Sequence, residues 1–215
     1  MIPTDFITED TILVQIGAND GIQDDFMREI ILSKNIKAHL LEPIPVFYEQ
    51  LSSLYADSDR VFCYNVAIHE HSGSAVMTYV NDPYLPIYTK GLGTFDTSKN
   101  AFSLSGNYQL KDDLSDNAII KAITEKKKQV NVHTLTLSDF LEKNNINTID
   151  IFVTDAEGFD GIIFSQLNLK KYTPEIIVME THTLGEDQNN HIKAKLKKYN
   201  YEILVDGWDT VARKK

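Results

Sequence analysis

Leu13-Val14-Gln15-Ile16-Gly17-Ala18-Asn19-Asp20-Gly21 carries the strongest structural signal in this chain. An apolar run ends in two glycines four residues apart, and a segment with apolar residues at helical spacing follows. This pattern predicts a buried strand, a tight turn and a helix. In an open α/β sheet the carboxyl end of the first strand is where a nucleotide-like ligand binds, and glycines there let the backbone approach it.

The glycine turn differs from the dinucleotide-binding fingerprint, which requires G-x-G-x-x-G and a helix that faces a pyrophosphate. Asn19 takes the place of the middle glycine, and Asp20 adds negative charge where a pyrophosphate needs positive potential. An adenosine derivative without phosphates fits better, and S-adenosylmethionine is such a ligand. The alternative at this point is a strand–turn–helix unit whose glycines serve turn geometry alone.

Length and composition indicate a single α/β domain over residues 1–215. Of the 215 residues, 42% are hydrophobic and 24% are charged, which suits a globular protein that buries a core. The formal net charge is −10, and the basic runs at 126–128 and 213–215 read as solvated, so we expect no nucleic-acid partner. The acidity favours a neutral or cationic ligand.

Targeting and redox signals are consistent with a cytoplasmic protein. Cys63 is the single cysteine, so an intrachain disulfide is excluded and a reducing compartment is expected. The first residues lack the basic start and long apolar run of a signal peptide. No apolar stretch approaches the ~18 residues of a membrane helix, so we expect no membrane insertion.

Strands and helices alternate along most of the chain. The predicted strands cover residues 12–17, 37–42, 60–68, 74–80, 130–137, 149–154, 175–179, 201–205 and 210–213. The predicted helices cover 21–33, 46–54, 116–128, a stretch capped by Ser138, 159–167 and 188–199. The last two strands should form a closing antiparallel pair.

Two polar residues follow predicted strands where they can reach an adenosine. Glu42 closes the second strand, which Pro43 ends, at ~20–25 residues from the glycine turn, the distance at which a carboxylate accepts both ribose hydroxyls. Asn65 lies near the end of the third strand and can reach the base. The alternative for Asn65 is a loop-capping asparagine.

Residues 81–129 interrupt the α/β alternation with an aromatic, proline-rich stretch and a long connection. Such a loop inside a compact domain is usually functional or disordered. We interpret it as an inserted lid that shapes the acceptor site. The alternative is a dimerisation arm, which would make the protein a homodimer.

Acidic residues follow several strands whose carboxyl ends meet at one edge of the sheet. Asp155 and Glu157 follow one of these strands, and Glu180 follows another, with His182 two residues later. His182 is a candidate general base, and a desolvated carboxylate is the alternative. Carboxylates with a histidine also suit Mg²⁺ or Mn²⁺, but their spacing is not diagnostic, so a divalent metal is the less favoured addition.

These pieces together resemble the FkbM family of S-adenosylmethionine-dependent methyltransferases. The matching segments are Val14 to Gly21, Leu41-Glu42-Pro43, Asn65 to Ile68, Leu137 to Leu141, Ile151 to Gly158 and Pro174 to His182. The resemblance implies a class I methyltransferase Rossmann-like fold, with a seven-stranded, mostly parallel sheet and an antiparallel C-terminal strand. It also implies O-methylation of a small-molecule or carbohydrate acceptor.

The resemblance assigns roles to individual residues. Gly17, Asn19 and Gly21 would hold the methionine end of the cofactor, Glu42 the ribose, and Asn65 or Ala67 would lie beside the adenine. Asp155 and Glu157 would face the transferring methyl group. From the residue types at the strand ends, we predict that His182, Glu180 or Asp155 removes the acceptor proton. The family often has an aspartate where Gln15 stands, which leaves the amino group of the cofactor with one carboxylate fewer.

Two other functions compete with methyl transfer. A nucleotide-dependent oxidoreductase on a doubly wound sheet predicts a third glycine after Gly21, where Asp24 stands. The second competing function is that of a non-catalytic cofactor-binding module, which the presence of Glu42 and Asp155 disfavours. The sequence names neither the acceptor nor the methylated position.

Overall fold

The computed structural model describes residues 3–23, 25–95 and 116–215, so Asp24 and much of the predicted lid lie outside the described residues. Its strands are β1 (Ile12–Ile16), β2 (Lys37–Leu41), β3 (Val61–Tyr64), β4 (Ala67–Ile68), β5 (Gly73–Tyr79), β6 (Lys128–Leu135), β7 (Ile151–Thr154), β8 (Ile176–Glu180), β9 (Tyr201–Asp206) and β10 (Asp209–Lys214). Its α-helices are α1 (Met27–Lys34), α2 (Pro45–Leu54), α3 (Asp116–Lys126), α4 (Leu137–Lys143), α5 (Asp160–Gln166) and α6 (Glu186–Lys198).

Seven strands form one sheet in the order β3-β2-β1-β7-β8-β10-β9. Strand β1 pairs in parallel with β2 on one side and β7 on the other, and β10 runs antiparallel to both β8 and β9. The predicted seven-stranded, mostly parallel sheet with an antiparallel C-terminal strand is therefore confirmed. Because the strand order reverses beside β1, the loops after β1 and β7 diverge and leave a crevice at the carboxyl ends.

Apolar clusters cover both faces of this sheet and explain why its central strands are buried. One cluster includes Phe140, Phe152 and Phe164, and the other includes Leu13 and Leu51. Each such side chain contributes about 1.5–3 kcal/mol when it is fully buried. The loops at the carboxyl ends are thus supported by a rigid base. Among the described residues, no helix combines the length and apolarity needed to cross a bilayer.

The prediction of one continuous strand at 60–68 is wrong. The chain leaves the main sheet after Tyr64, and Ala67–Ile68 joins a second, three-stranded sheet in the order β4-β6-β5. The break lies at Asn65, whose Nδ2 donates to the carbonyl oxygens of Glu42 and Pro43 at 2.9 Å each. The amide thus ties the chain to the loop after β2 and turns it out of the sheet.

Two helix starts also differ from their predictions. Helix α1 begins at Met27 rather than Gly21, because the Asp20 carboxylate accepts from the N–H groups of Ile22 and Gln23 and holds a turn there. Helix α4 is capped by Thr136, whose Oγ1 accepts from the N–H of Asp139 at 3.1 Å. The predicted cap, Ser138, lies inside that helix.

Candidate active site

A cleft of about 310 Å³ opens at the carboxyl ends of β1, β2, β7 and β8. Most of the residues predicted to bind or react line it: Gly17, Asn19, Glu42, Pro43, Ala67, Asp155, Glu157, Glu180 and His182. Two predicted residues, Gly21 and Asn65, are not among the lining residues. The topology therefore gathers residues from five separate parts of the chain in one cleft.

Gly17 is required where the loops after β1 and β7 approach each other. Its φ is +83°, and a Cβ atom there would lie 1.8 Å from the carbonyl oxygen of Asp155. Any side chain would push the two loops apart. Since Asn19 and Asp155 both line the cleft next to this contact, the glycine fixes its width.

Gly21 serves packing rather than the cleft. Its φ is +74°, and a Cβ atom would lie 2.7 Å from Cδ1 of Leu51 on α2. The second glycine of the turn thus lets the loop rest against a helix. The ligand-binding role predicted for Gly21 has no direct geometric support in this structure.

Glu42 is 4% exposed and joins the loops after β1 and β2. Its Oε2 accepts from the N–H of Asn19 at 3.0 Å, and its Oε1 accepts from the N–H of Ile44 at 2.8 Å. Burial raises the pKa of Glu42 to about 7, against the opposing effect of these two hydrogen bonds. Each carboxylate oxygen can accept a second hydrogen bond, so the group can also bind a diol.

Three carboxylates cluster on the opposite side of the glycine turn. Among the described residues, one group has ligand atoms close enough to hold a metal ion: oxygens of Asp155, Glu157 and Glu180 all lie within 4.8 Å of one another. Burial, followed by repulsion from Asp155, raises the pKa of Glu157 well above its ordinary value. Burial and the neighbouring carboxylates raise the pKa of Glu180 to about 11. The cluster therefore favours either shared protons or a bound cation.

Asp160, two residues beyond this acidic turn, holds its backbone in place. The carboxylate is fully buried, with Oδ1 accepting from Thr154 Oγ1 at 2.6 Å and from the N–H of Ala156 at 3.1 Å. Its pKa is raised to about 6, chiefly by burial. Asp160 orients Asp155 and Glu157 through the backbone and does not itself line the cleft.

His182 lies at the rim of the carboxylate cluster. Its Nδ1 is 3.3 Å from Oε1 of Glu180, and its ring centroid is 4.2 Å from that of Trp208. Burial lowers the pKa of His182 below its ordinary value, and the nearby Asp209 opposes that shift. The imidazole is therefore neutral at pH 7, which is the form that can accept a proton.

Residues 15–203 match the model of the Methyltransferase FkbM domain. The chain belongs to this family. Among solved structures, it is similar to the methyltransferase FkbM from Methylobacillus flagellatus KT, with 12% identity and a TM-score of 0.56 over 95% of this chain and 43% of that one. The chain thus spans less than half the length of that protein. No curated protein matches it.

A second solved structure, the fibrillarin pre-rRNA processing protein of Methanococcus jannaschii, is similar at 12% identity. Its TM-score is 0.46, over the whole of this chain and 69% of that one. The family match and the seven-stranded sheet confirm the methyltransferase family and the Rossmann-like fold that the sequence motifs predicted.

The FkbM domain also has cleft residues that the sequence analysis missed. They are Gln23, Asp25, Phe26, Lys90, Phe159, Trp208 and Asp209, among others. Lys90 belongs to a short 3-10 helix (Ile87–Gly91) in the described part of the predicted lid, and its Nζ lies 4.0 Å from Asp20 Oδ2. For Asp25 there was an indirect signal, because Gln15 stands where the family often has an aspartate and a nearby carboxylate could replace it. The other residues have no local sequence signal.

Several aromatic rings line the cleft. Phe95 and Phe159 both line it, with ring centroids 5.1 Å apart, and His69 stacks on Phe159 at 5.2 Å. Trp208 lines the other side and is 52% exposed. The cleft thus offers both ring faces and carboxylates to a ligand.

Proposed function

We propose that this domain is an S-adenosylmethionine-dependent O-methyltransferase that acts on a hydroxyl group of a sugar, a glycan or a small natural product. The observation that carries the proposal is the cleft beside β1, where buried Glu42 lies on one side of the glycine turn and three carboxylates with His182 lie on the other. A diol-binding group and a proton-accepting group therefore face a common space.

The residues present fit the proposed cofactor. Gly17 lets the loop after β1 lie directly against the backbone of Asp155 beside the cleft, and Glu42 keeps free lone pairs for the two ribose hydroxyls. Ala67 and Ile68, at the start of the second sheet, provide an apolar wall for the base. In this proposal Asn65 acts indirectly, by holding the loop that carries Glu42 and Pro43.

The protein has two tasks in the reaction. S-adenosylmethionine, when bound, supplies an electrophilic methyl group on a sulfonium, so the chain must align the acceptor hydroxyl and remove its proton. His182 is the base in this proposal, since its lowered pKa keeps it neutral at pH 7. In this proposal Oε1 of Glu180 accepts from the Nδ1–H of His182, which leaves Nε2 as the nitrogen that takes the proton, and Asp155 with Glu157 favours a positive charge in the cleft.

The acceptor is uncharged or cationic in this proposal. Acidic residues are numerous in the cleft lining, and Lys90 is the one lysine or arginine among the described residues that line it. An anionic group on the acceptor would raise the pKa values of Glu157 and Glu180 further and would gain no compensating positive charge from this cluster. Ring faces such as Phe95 and Trp208 suit the apolar face of a sugar or a natural-product ring.

Calorimetric titration with S-adenosylhomocysteine and with NAD tests the proposed cofactor. We expect S-adenosylhomocysteine to bind and NAD not to bind. Binding of NAD alone would support an oxidoreductase, and binding of neither would support a module without a working site. Repeating the titration with Mg²⁺ and with a chelator tests the metal alternative, since a metal held by the three carboxylates would change the affinity.

The base is tested on an identified acceptor. We expect His182→Gln to lower kcat about 10²–10⁴-fold, as is typical for loss of general base catalysis, with little change in S-adenosylhomocysteine affinity. In the unaltered protein kcat should fall as the pH drops below the lowered pKa of His182. Full activity of the separate variants His182→Gln, Glu180→Gln and Asp155→Asn would overturn the assignment.

A further inference from the structure

Three buried oxygen atoms around the end of β1 accept no hydrogen bond from any described residue. They are Gln15 Oε1, Gln23 Oε1 and Asp25 Oδ2. All three residues line the cleft, and Gln15 is 5% exposed. An unpaired buried acceptor costs about 1–3 kcal/mol, so three acceptors at one site indicate a ligand that brings several donors.

Gln15 and Asp25 act as one unit. Gln15 Nε2 donates to Asp25 Oδ1 at 3.2 Å, and the N–H of Met27 donates to the same oxygen at 3.0 Å. One carboxylate oxygen is therefore engaged by the protein, and Oδ2 is left for another donor. The terminal torsions of Asp and Gln side chains are soft, so a small rotation turns these oxygens toward the cleft.

The ligand group that fits this site is a primary ammonium. It carries three N–H donors and a positive charge, which matches one carboxylate oxygen and two amide oxygens in number and in sign. A hydroxyl would donate only one hydrogen bond, and an anion would be repelled by Asp25. Among the parts of the proposed cofactor, only the methionine α-amino group has this chemistry.

Arg28 offers a competing explanation. Its Nε donates to no described residue, and its charge acts on the Asp25 carboxylate, although less strongly than burial does. Arg28 does not line the cleft. If Asp25 served only to pair with Arg28, its loss would lower stability without a specific effect on ligand affinity.

We infer that Asp25, positioned by Gln15, is the carboxylate that binds the α-ammonium of S-adenosylmethionine. The inference rests on the proposed function. Strand β1 has the neutral Gln15 at this place. Asp25, which precedes α1, would therefore supply the negative charge. Gln23 completes the set of acceptors.

Titration with two ligands tests the inference. S-adenosylhomocysteine has the ammonium, whereas 5′-methylthioadenosine shares the adenosine and the thioether but lacks the amino acid group. We expect Asp25→Asn to weaken S-adenosylhomocysteine binding about 10- to 100-fold, the range for loss of one charge-assisted hydrogen bond, and to leave 5′-methylthioadenosine binding within about twofold. The double variant Gln15→Asp with Asp25→Asn should recover most of the lost affinity.

Asp57→Asn, an exposed aspartate outside the cleft, is the matched control and should change neither affinity. Unchanged S-adenosylhomocysteine binding by Asp25→Asn would overturn the inference. An equal loss for both ligands would also overturn it, since that result indicates a structural role such as pairing with Arg28. Failure of the unaltered protein to bind S-adenosylhomocysteine would instead overturn the proposed cofactor, and this inference with it.

Discussion

At the scale of single residues, Glu42 combines a structural and a binding role. Its two carboxylate oxygens join the loops after β1 and β2, yet the side chain is 4% exposed and carries a charge that burial disfavours. In the folded protein without a ligand, ionisation of the buried Glu42 carboxyl therefore costs free energy. Such a cost is expected where a side chain is placed for a ligand rather than for stability.

The substitution Glu42→Gln should separate these two roles. The pKa of Glu42 is raised from 4.5 to about 7 in the folded state, so its contribution to stability is full below pH 4.5 and is lost as the pH rises through about 7. Glutamine does not ionise, but its amide offers one acceptor oxygen to the N–H groups of Asn19 and Ile44, so the variant should be less stable by about 1–3 kcal/mol at pH 5, and this deficit should shrink towards pH 8. Urea denaturation at the two pH values measures this.

The same variant should bind S-adenosylhomocysteine more than tenfold more weakly, because an amide has one acceptor oxygen where the carboxylate has two. A stability deficit of Glu42→Gln that grows between pH 5 and pH 8 would show that the charged hydrogen bonds to Asn19 and Ile44 outweigh the cost of burial. That outcome would contradict the direction of the pKa shift.

At the scale of elements, the loops at the carboxyl ends depend on how each helix begins. Helix α4 follows β6 of the second sheet directly, with Thr136 as its cap, and places Phe140 and Leu141 in the core. A helix start is thus set by one side-chain hydrogen bond. Because Ser138 lies two residues on, a sequence pattern alone could not tell the two hydroxyl residues apart.

Thr136→Ala should destabilise the protein by about 1 kcal/mol, since the N–H of Asp139 loses its acceptor. Ser138→Ala is the matched control and should change the free energy of unfolding by less than about 0.5 kcal/mol, as is usual for an exposed site. Thermal or urea denaturation of both variants measures the difference. A larger effect at Ser138 than at Thr136 would contradict the cap assigned by the structure.

At the scale of the whole molecule, negative charge is concentrated at one edge of the sheet. The chain carries a formal net charge of −10, and Asp155, Glu157 and Glu180 add local repulsion inside the cleft. The strand order brings them together from the ends of β7 and β8, although Asp155 and Glu180 are far apart in the sequence. Because the pKa values of Glu157 and Glu180 are raised in the fold, the stability of this edge depends on pH.

Glu180→Gln should therefore reduce the pH dependence of stability. The raised pKa of Glu180 means that its stabilising contribution is full below pH 4.5 and declines as the pH increases from there toward about 11. We expect the unaltered protein to lose stability between pH 5 and pH 9 and the variant to lose less. The exposed substitution Glu49→Gln on α2 is the control, and equal slopes for all three proteins in urea denaturation would contradict the prediction.

Much of the fold could be predicted because its signals are local. Apolar runs ending in glycine or acidic residues marked β1, β2, β7 and β8, since the period of a strand and the chemistry of a turn depend only on neighbouring residues. The same runs indicated that Glu42 and Asp155 follow strands. Parallel pairing then places both at one edge, so the central part of the cleft was predictable from the sequence.

What the sequence did not decide are contacts between segments far apart in the chain. Asn65 ends β3 because its side chain donates to the loop after β2. Strand β6 lies in the second sheet because it pairs with β4 and β5. Asp25 meets Gln15 only through the turn that delays α1, and Trp208 meets His182 only through pairing of β10 with β8. Such contacts depend on strand order and packing, so only the tertiary structure determines them.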